Sequence, residues 1–155
     1  MKSLVFLMVL MLGTFAHANL TGLYQGEFDR NDWHCQAQMD LQQTNKHTLV
    51  FNQWDEYCET AKGDEYSKSV SPGLAIKKLD QNHIEWKDQS GKAIVETEIA
   101  EFEDNLFHIK FPFEDEDGNW TLEQKLELQN NEIYFFEEYT LEGESVYRNE
   151  GTLRK

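Results

Sequence analysis

From Asn19 onward, nearly every segment alternates polar and apolar positions with a period of two and is rich in aromatic and β-branched residues. Asn, Asp or Gly separates each segment from the next. This pattern predicts half-buried strands joined by short turns, about 8–10 of them. The expected fold is all-β, an antiparallel up-and-down meander forming a barrel or a strongly curved sheet. Only Lys92 to Glu103 also carries helical spacing, with Val95, Ile99 and Phe102 at i, i+4 and i+7. Its alternation and bounding turns favour a strand there as well.

Met1 to Ala18 breaks the pattern. Lys2 is followed by the uninterrupted apolar run Leu4 to Leu12 and by Ala16-His17-Ala18, the small-residue pattern that a signal peptidase cuts. The run is shorter than the ~20 residues that span a bilayer. The expectation is therefore a signal peptide over 1–18 and one domain over 19–155, exported to the periplasm or secreted, with no membrane anchor after cleavage. In an oxidising compartment the chain's two cysteines, Cys35 and Cys58, are expected to form a disulfide that stabilises the fold by about 3 kcal/mol. A redox pair would more often be Cys-x-x-Cys, and zinc would need more ligands than His34, Cys35 and Cys58.

The disulfide and the turn residues together predict registers. Cys35 opposite Cys58 places Met39 opposite Trp54 and Thr44 opposite Leu49, across a loop from Asn45 to Thr48. A turn at Asp117-Gly118 sets Phe113 against Leu122, Phe111 against Gln124, Ile109 against Leu126 and Phe107 against Leu128. A turn at Asn130-Asn131 then pairs Leu128 with Ile133, Leu126 with Phe135, Gln124 with Glu137 and Leu122 with Tyr139. A third turn at Glu142-Gly143 brings Glu137 against Arg148 and Tyr139 against Val146, while a shift to Gly143-Glu144 would put Arg148 opposite Tyr139.

One face of these strands comes out apolar except for a single row containing Gln124, Glu137 and Arg148. Charges on an apolar face cost several kcal/mol each in desolvation unless they are paired and hydrogen-bonded. Two roles fit the row: a structural Glu137–Arg148 ion pair supported by Gln124, or groups that orient a ligand in an apolar cavity. In the second, Phe107, Phe111, Phe135 and Tyr139 would supply the contact area.

The chain opens its first strand with Thr21-Gly22-Leu23-Tyr24-Gln25-Gly26-Glu27 and ends with Tyr147-Arg148-Asn149-Glu150-Gly151-Thr152-Leu153-Arg154. Here it resembles the calycin group of lipocalins, avidins and fatty-acid-binding proteins, in which a Gly-x-Trp motif opens the barrel and an arginine of the last strand packs over the tryptophan. The resemblance implies that Gly22 matches the glycine, that Tyr24 stands in the tryptophan's place, and that Arg148 or Arg154 closes the barrel floor. It further implies a small, largely apolar ligand.

The formal charge is −15, and loss of Lys2 makes it one unit more negative. Such a surface repels nucleic acid and anionic lipid, and it suits either simple solubility or a basic protein partner. No nucleophile elbow, phosphate-cradling glycine loop or HExxH helix occurs. His34, His47, His83 and His108 have no metal-ligand spacing, and the run Glu114 to Asp117 fails an EF-hand frame because Phe113 and Gln124 would fall at ligand positions. We therefore expect no enzyme, metal or cofactor, and a monomer that binds a small apolar ligand. The alternative is an acidic β-domain with a solid core that acts as a protein-binding or inhibitor module.

Overall fold

The computed structural model describes residues 19–70 and 73–155. The expected signal peptide, 1–18, lies outside the described residues. Among the described residues, twelve strands follow one another with no helix: β1 (Gly22–Arg30), β2 (Trp33–Asn45), β3 (Thr48–Thr60), β4 (Glu65–Val70), β5 (Leu74–Lys78), β6 (His83–Asp88), β7 (Gly91–Glu96), β8 (Ile99–Phe102), β9 (Leu106–Asp115), β10 (Gly118–Gln129), β11 (Glu132–Leu141) and β12 (Glu144–Arg154). The segment with helical spacing is thus two strands, β7 and β8. Twelve strands exceed the expected 8–10 because the region after Cys58 is cut into short pieces.

All pairings are antiparallel, in the order β7-β6-β5-β3-β2-β1-β12-β11-β10-β9-β8. The long strand β3 serves two neighbours: Phe51 and residues before it pair with β5, whereas Trp54 and residues after it pair with β4. The expected barrel closure is absent, since β7 and β8 form the two edges of the sheet and do not pair with each other. Only Thr97 and Glu98 separate them in sequence, so the sheet has to curl until its edges almost meet. Trp86 on β6 accordingly touches Phe111 on β9, with ring centroids 5.9 Å apart.

Curling gives the alternating strands one shared interior. Phe51 meets Phe107 edge-on at 6.1 Å, Trp54 meets Phe135 at 6.4 Å, and Phe28 meets Phe135 at 5.0 Å. These rings, with Tyr24, Met39, Ile109 and Leu153, are buried in a single core. Gly151 makes the Phe28–Phe135 contact possible: a Cβ there would lie 2.9 Å from Phe28 Cβ and 2.8 Å from Phe135 Cε1.

Cys35 and Cys58 are directly opposite and disulfide-bonded, and Met39 faces Trp54 as expected. Beyond them Asn52 bulges, so Leu41 faces Phe51, Gln43 faces Leu49, and Thr44 does not face Leu49. The bulge lets both Phe51 and Trp54 point inward. The Asn130-Asn131 hairpin has the expected register, with both asparagines at positive φ (51° and 68°) as a type I′ turn requires.

Two other registers differ from expectation. Asp115 pairs with Gly118, so the β9–β10 turn is Glu116-Asp117, and Phe113 faces Trp120, Phe111 faces Leu122, Ile109 faces Gln124 and Phe107 faces Leu126. Positive φ falls on Gly118 alone in this turn (135°), which rules out type I′ at Asp117-Gly118. The slip is two residues, so the inward face is preserved. On β12 the turn at Glu142-Gly143 is as expected, but Val146 bulges between the pairs Thr140–Ser145 and Tyr139–Tyr147. One extra residue reverses the faces of the rest of the strand. Glu137 therefore faces Asn149, Glu138 faces Arg148, and neither the Glu137–Arg148 nor the Tyr139–Val146 pair exists.

Candidate functional site

The polar row on the inner wall keeps Gln124 and Glu137 as expected, but Asn149 stands in the place of Arg148. Gln124, Glu137 and Asn149 stand side by side on β10, β11 and β12, and Glu56 and Lys68 reach them from β3 and β4. Glu137 is fully buried, and Lys68 Nζ lies 2.8 and 2.7 Å from its two carboxylate oxygens. Gln124 Nε2 donates to Glu137 Oε1 at 3.0 Å, and the Trp54 ring lies beneath the ammonium with its centroid 4.2 Å away.

A second buried carboxylate, Glu56, accepts from Arg30 Nη1 at 3.3 Å and from Asn149 Nδ2 at 2.7 Å. Arg30 also donates to the Tyr147 hydroxyl at 2.7 Å and lies over the rings of Tyr147 and Tyr66. Two desolvated acids are thus each held by a cation, a primary amide and aromatic rings. Burial pushes the Glu56 carboxyl above its ordinary range, although Lys68 and Arg30 oppose the shift. Burial, and after it the Glu137 charge, likewise raises the Tyr139 phenol.

The other site expectations sort by face. Phe107, Phe111 and Phe135 do point inward, where they pack against Phe51, Trp86, Trp54 and Phe28. Arg148 points outward, with its side chain 57 % exposed beside Glu150. Arg154 is also outside, ion-paired with Glu132 at 2.8 Å, so neither arginine caps Tyr24. The cation nearest the buried Tyr24 ring is Lys155, at 5.9 Å, and it packs beside Gly22.

Sequence reasoning missed Glu56, Lys68, Arg30 and Asn149. Two of them carried a signal: Trp54, Glu56 and Cys58 alternate, which puts Glu56 on the cysteine face, and the apolar Leu153 puts Asn149 on the inner face of β12. Among the described residues, the cluster with metal-ligand geometry is Cys35, Glu56 and Cys58, and its sulfurs are bonded to each other.

The outer wall carries its cations unevenly. Across β1–β4 run the rows Gln25-Gln38-Asp55-Ser69, Glu27-Gln36-Tyr57-Ser67 and Asp29-His34-Glu59-Glu65, without a lysine or arginine. A groove of about 650 Å³ lies over the first two rows. Amide and carboxylate groups are linked along it, with Gln25 donating to Gln38 at 3.0 Å and Ser69 to Asp55 at 2.6 Å. Hydrogen bonding to Asp29 raises the His34 pKa. On β9–β12, by contrast, Lys110, Lys125, Arg148 and Arg154 each pair with a glutamate. Comparison of the chain with protein-family models, with curated proteins and with solved structures finds no match.

Proposed function

We propose that the protein is an exported, monomeric, non-enzymatic binding module that captures a basic partner on the outer face of β1–β4. The observation that carries this function is the lack of any basic side chain in the three cross-strand rows of β1–β4. Cations on the β9–β12 wall are matched by glutamates, and Arg30 and Lys68 are spent on buried acids, whereas the β1–β4 face keeps Glu27, Asp29, Asp55, Glu59 and Glu65 with no lysine or arginine among them. A one-signed face focuses potential and draws in an oppositely charged partner. The Cys35–Cys58 disulfide is consistent with export. A container for a small apolar ligand would need the space that Phe107, Phe111 and Phe135 occupy with their neighbours, so the geometry favours the solid module.

The test is titration of a fluorescent oligolysine peptide. Affinity is expected to fall about tenfold or more between ~50 and ~500 mM salt. Asp55→Lys with Glu59→Lys should weaken it comparably, while Glu101→Lys with Glu123→Lys, on β8 and β10 beside His108, should not. Binding that ignores salt, or equal losses from both double variants, would exclude the β1–β4 face.

A further inference from the structure

Lys68 occupies a cage whose chemistry is that of a receptor for an ammonium group. A primary ammonium has three N–H donors and no acceptor. The cage offers two oxygens of a fully buried carboxylate, at 2.8 and 2.7 Å from Nζ, and the face of an indole at 4.2 Å. Gln124, itself only 6 % exposed, holds the carboxylate through Nε2, and the Oε1 of the same amide accepts no hydrogen bond. The amide cannot flip to satisfy that oxygen, because Oε1 would then face the Glu137 carboxylate. A buried acceptor without a partner is therefore fixed on the side chain that holds the carboxylate.

The occupant is not sealed in. Lys68 comes from β4, a strand bonded to β3 alone, and its side chain is 19 % exposed rather than sealed in. Four methylenes let the ammonium swing out to water while the β4 backbone stays paired. Leaving the cage empty would strand a buried charge, which disfavours departure unless another cation enters.

We propose that Glu137, Gln124 and Trp54 form a binding site for a primary alkylammonium group, for which Lys68 is a tethered competitor that sets the affinity. The site lies inside the curl and does not depend on the acidic outer face. Its ligand is either a free amine or the lysine side chain of a partner, since both present the same end group.

The experiment follows the Lys68 ammonium resonance by ¹⁵N NMR in the unmodified protein during titration with n-butylammonium chloride, Nα-acetyl-lysine methylamide or tetramethylammonium chloride at matched ionic strength. Saturable displacement by the primary amines, and none by tetramethylammonium, is the expected result. Displacement by both primary amines admits the lysine source, and displacement by butylammonium alone restricts the site to free amines. Lys68→Ala should bind butylammonium at least about tenfold more tightly, because the competitor is gone, and adding Glu137→Gln should abolish binding. Lys68→Arg, which keeps the charge paired should the alanine variant fail to fold, should bind more weakly than the parent. A Lys68 resonance unmoved by either primary amine overturns the proposal even if Lys68→Ala binds, and so does equal displacement by tetramethylammonium.

Discussion

Replacing Lys68 with Met separates a buried ion pair from a decorative one. Met keeps most of the stem over Trp54 but removes the ammonium, leaving the Glu137 carboxylate fully buried with only the neutral donors Gln124 and Tyr139. A buried charge stripped of its partner destabilises by about 3–5 kcal/mol. Lys68 is itself 19 % exposed, so water can partly reach the vacated position and the lower end applies. About 3 kcal/mol corresponds to a fall in Tm on the order of 10 °C for a domain of this size. The assay is urea unfolding monitored by tryptophan fluorescence, with the m-value checked for constancy. Lys68→Met with Glu137→Gln, which removes both charges but keeps an acceptor for the buried Gln124 Nε2, should recover much of the loss because no buried ion is left to desolvate. A single variant within about 0.5 kcal/mol of the parent, the outcome typical of a solvated surface pair, would refute the reasoning. A double variant no more stable than the single one would do the same.

Arg148→Met should change stability by less than about 0.5 kcal/mol, because its guanidinium is exposed beside Glu150; a melting point many degrees lower would return Arg148 to the interior. Glu56 has a raised folded-state pKa, so its stabilising contribution is fully present below the ordinary glutamate range and is lost as pH rises through the folded value. The stability of Glu56→Gln relative to the parent should therefore increase between about pH 4 and pH 7, and a pH-independent difference in chemical denaturation would contradict this. Gly151→Ala should cost about 1–3 kcal/mol by overpacking, since its Cβ would lie 2.9 Å from Phe28 Cβ. A variant as stable as the parent in thermal unfolding would show that the Phe28–Phe135 contact yields.

The strands and most of their inward faces were legible because period-two alternation reports burial directly. Asn130-Asn131 fixed its hairpin since asparagine tolerates the positive φ that type I′ demands. At Asp117-Gly118 the same logic was two residues out, because one glycine can serve more than one hairpin geometry. Bulges were the main obstacle: nothing in Glu144-Ser145-Val146-Tyr147 announces that Val146 is the extra residue, yet it decides whether Arg148 or Asn149 faces Glu137. Lys68 was hidden for a different reason. Its partner lies on β11, and no pattern local to β4 can state which distant strand the curl brings over it.

The order of strands also puts the two ends of the domain in an unusual position. β1 and β12 lie at the middle of the sheet, side by side, while the edges come from the middle of the sequence. Nearly every other ladder joins strands adjacent in the chain, with small loops and a small entropic cost. The β1–β12 seam alone joins the first strand to the last. The domain is thus two meanders, β1–β7 and β8–β12, each able to zip locally, and their union waits for one long-range encounter. Loss of the final strand would not trim an edge; it would cut the sheet in two and remove Asn149 from the interior at the same time.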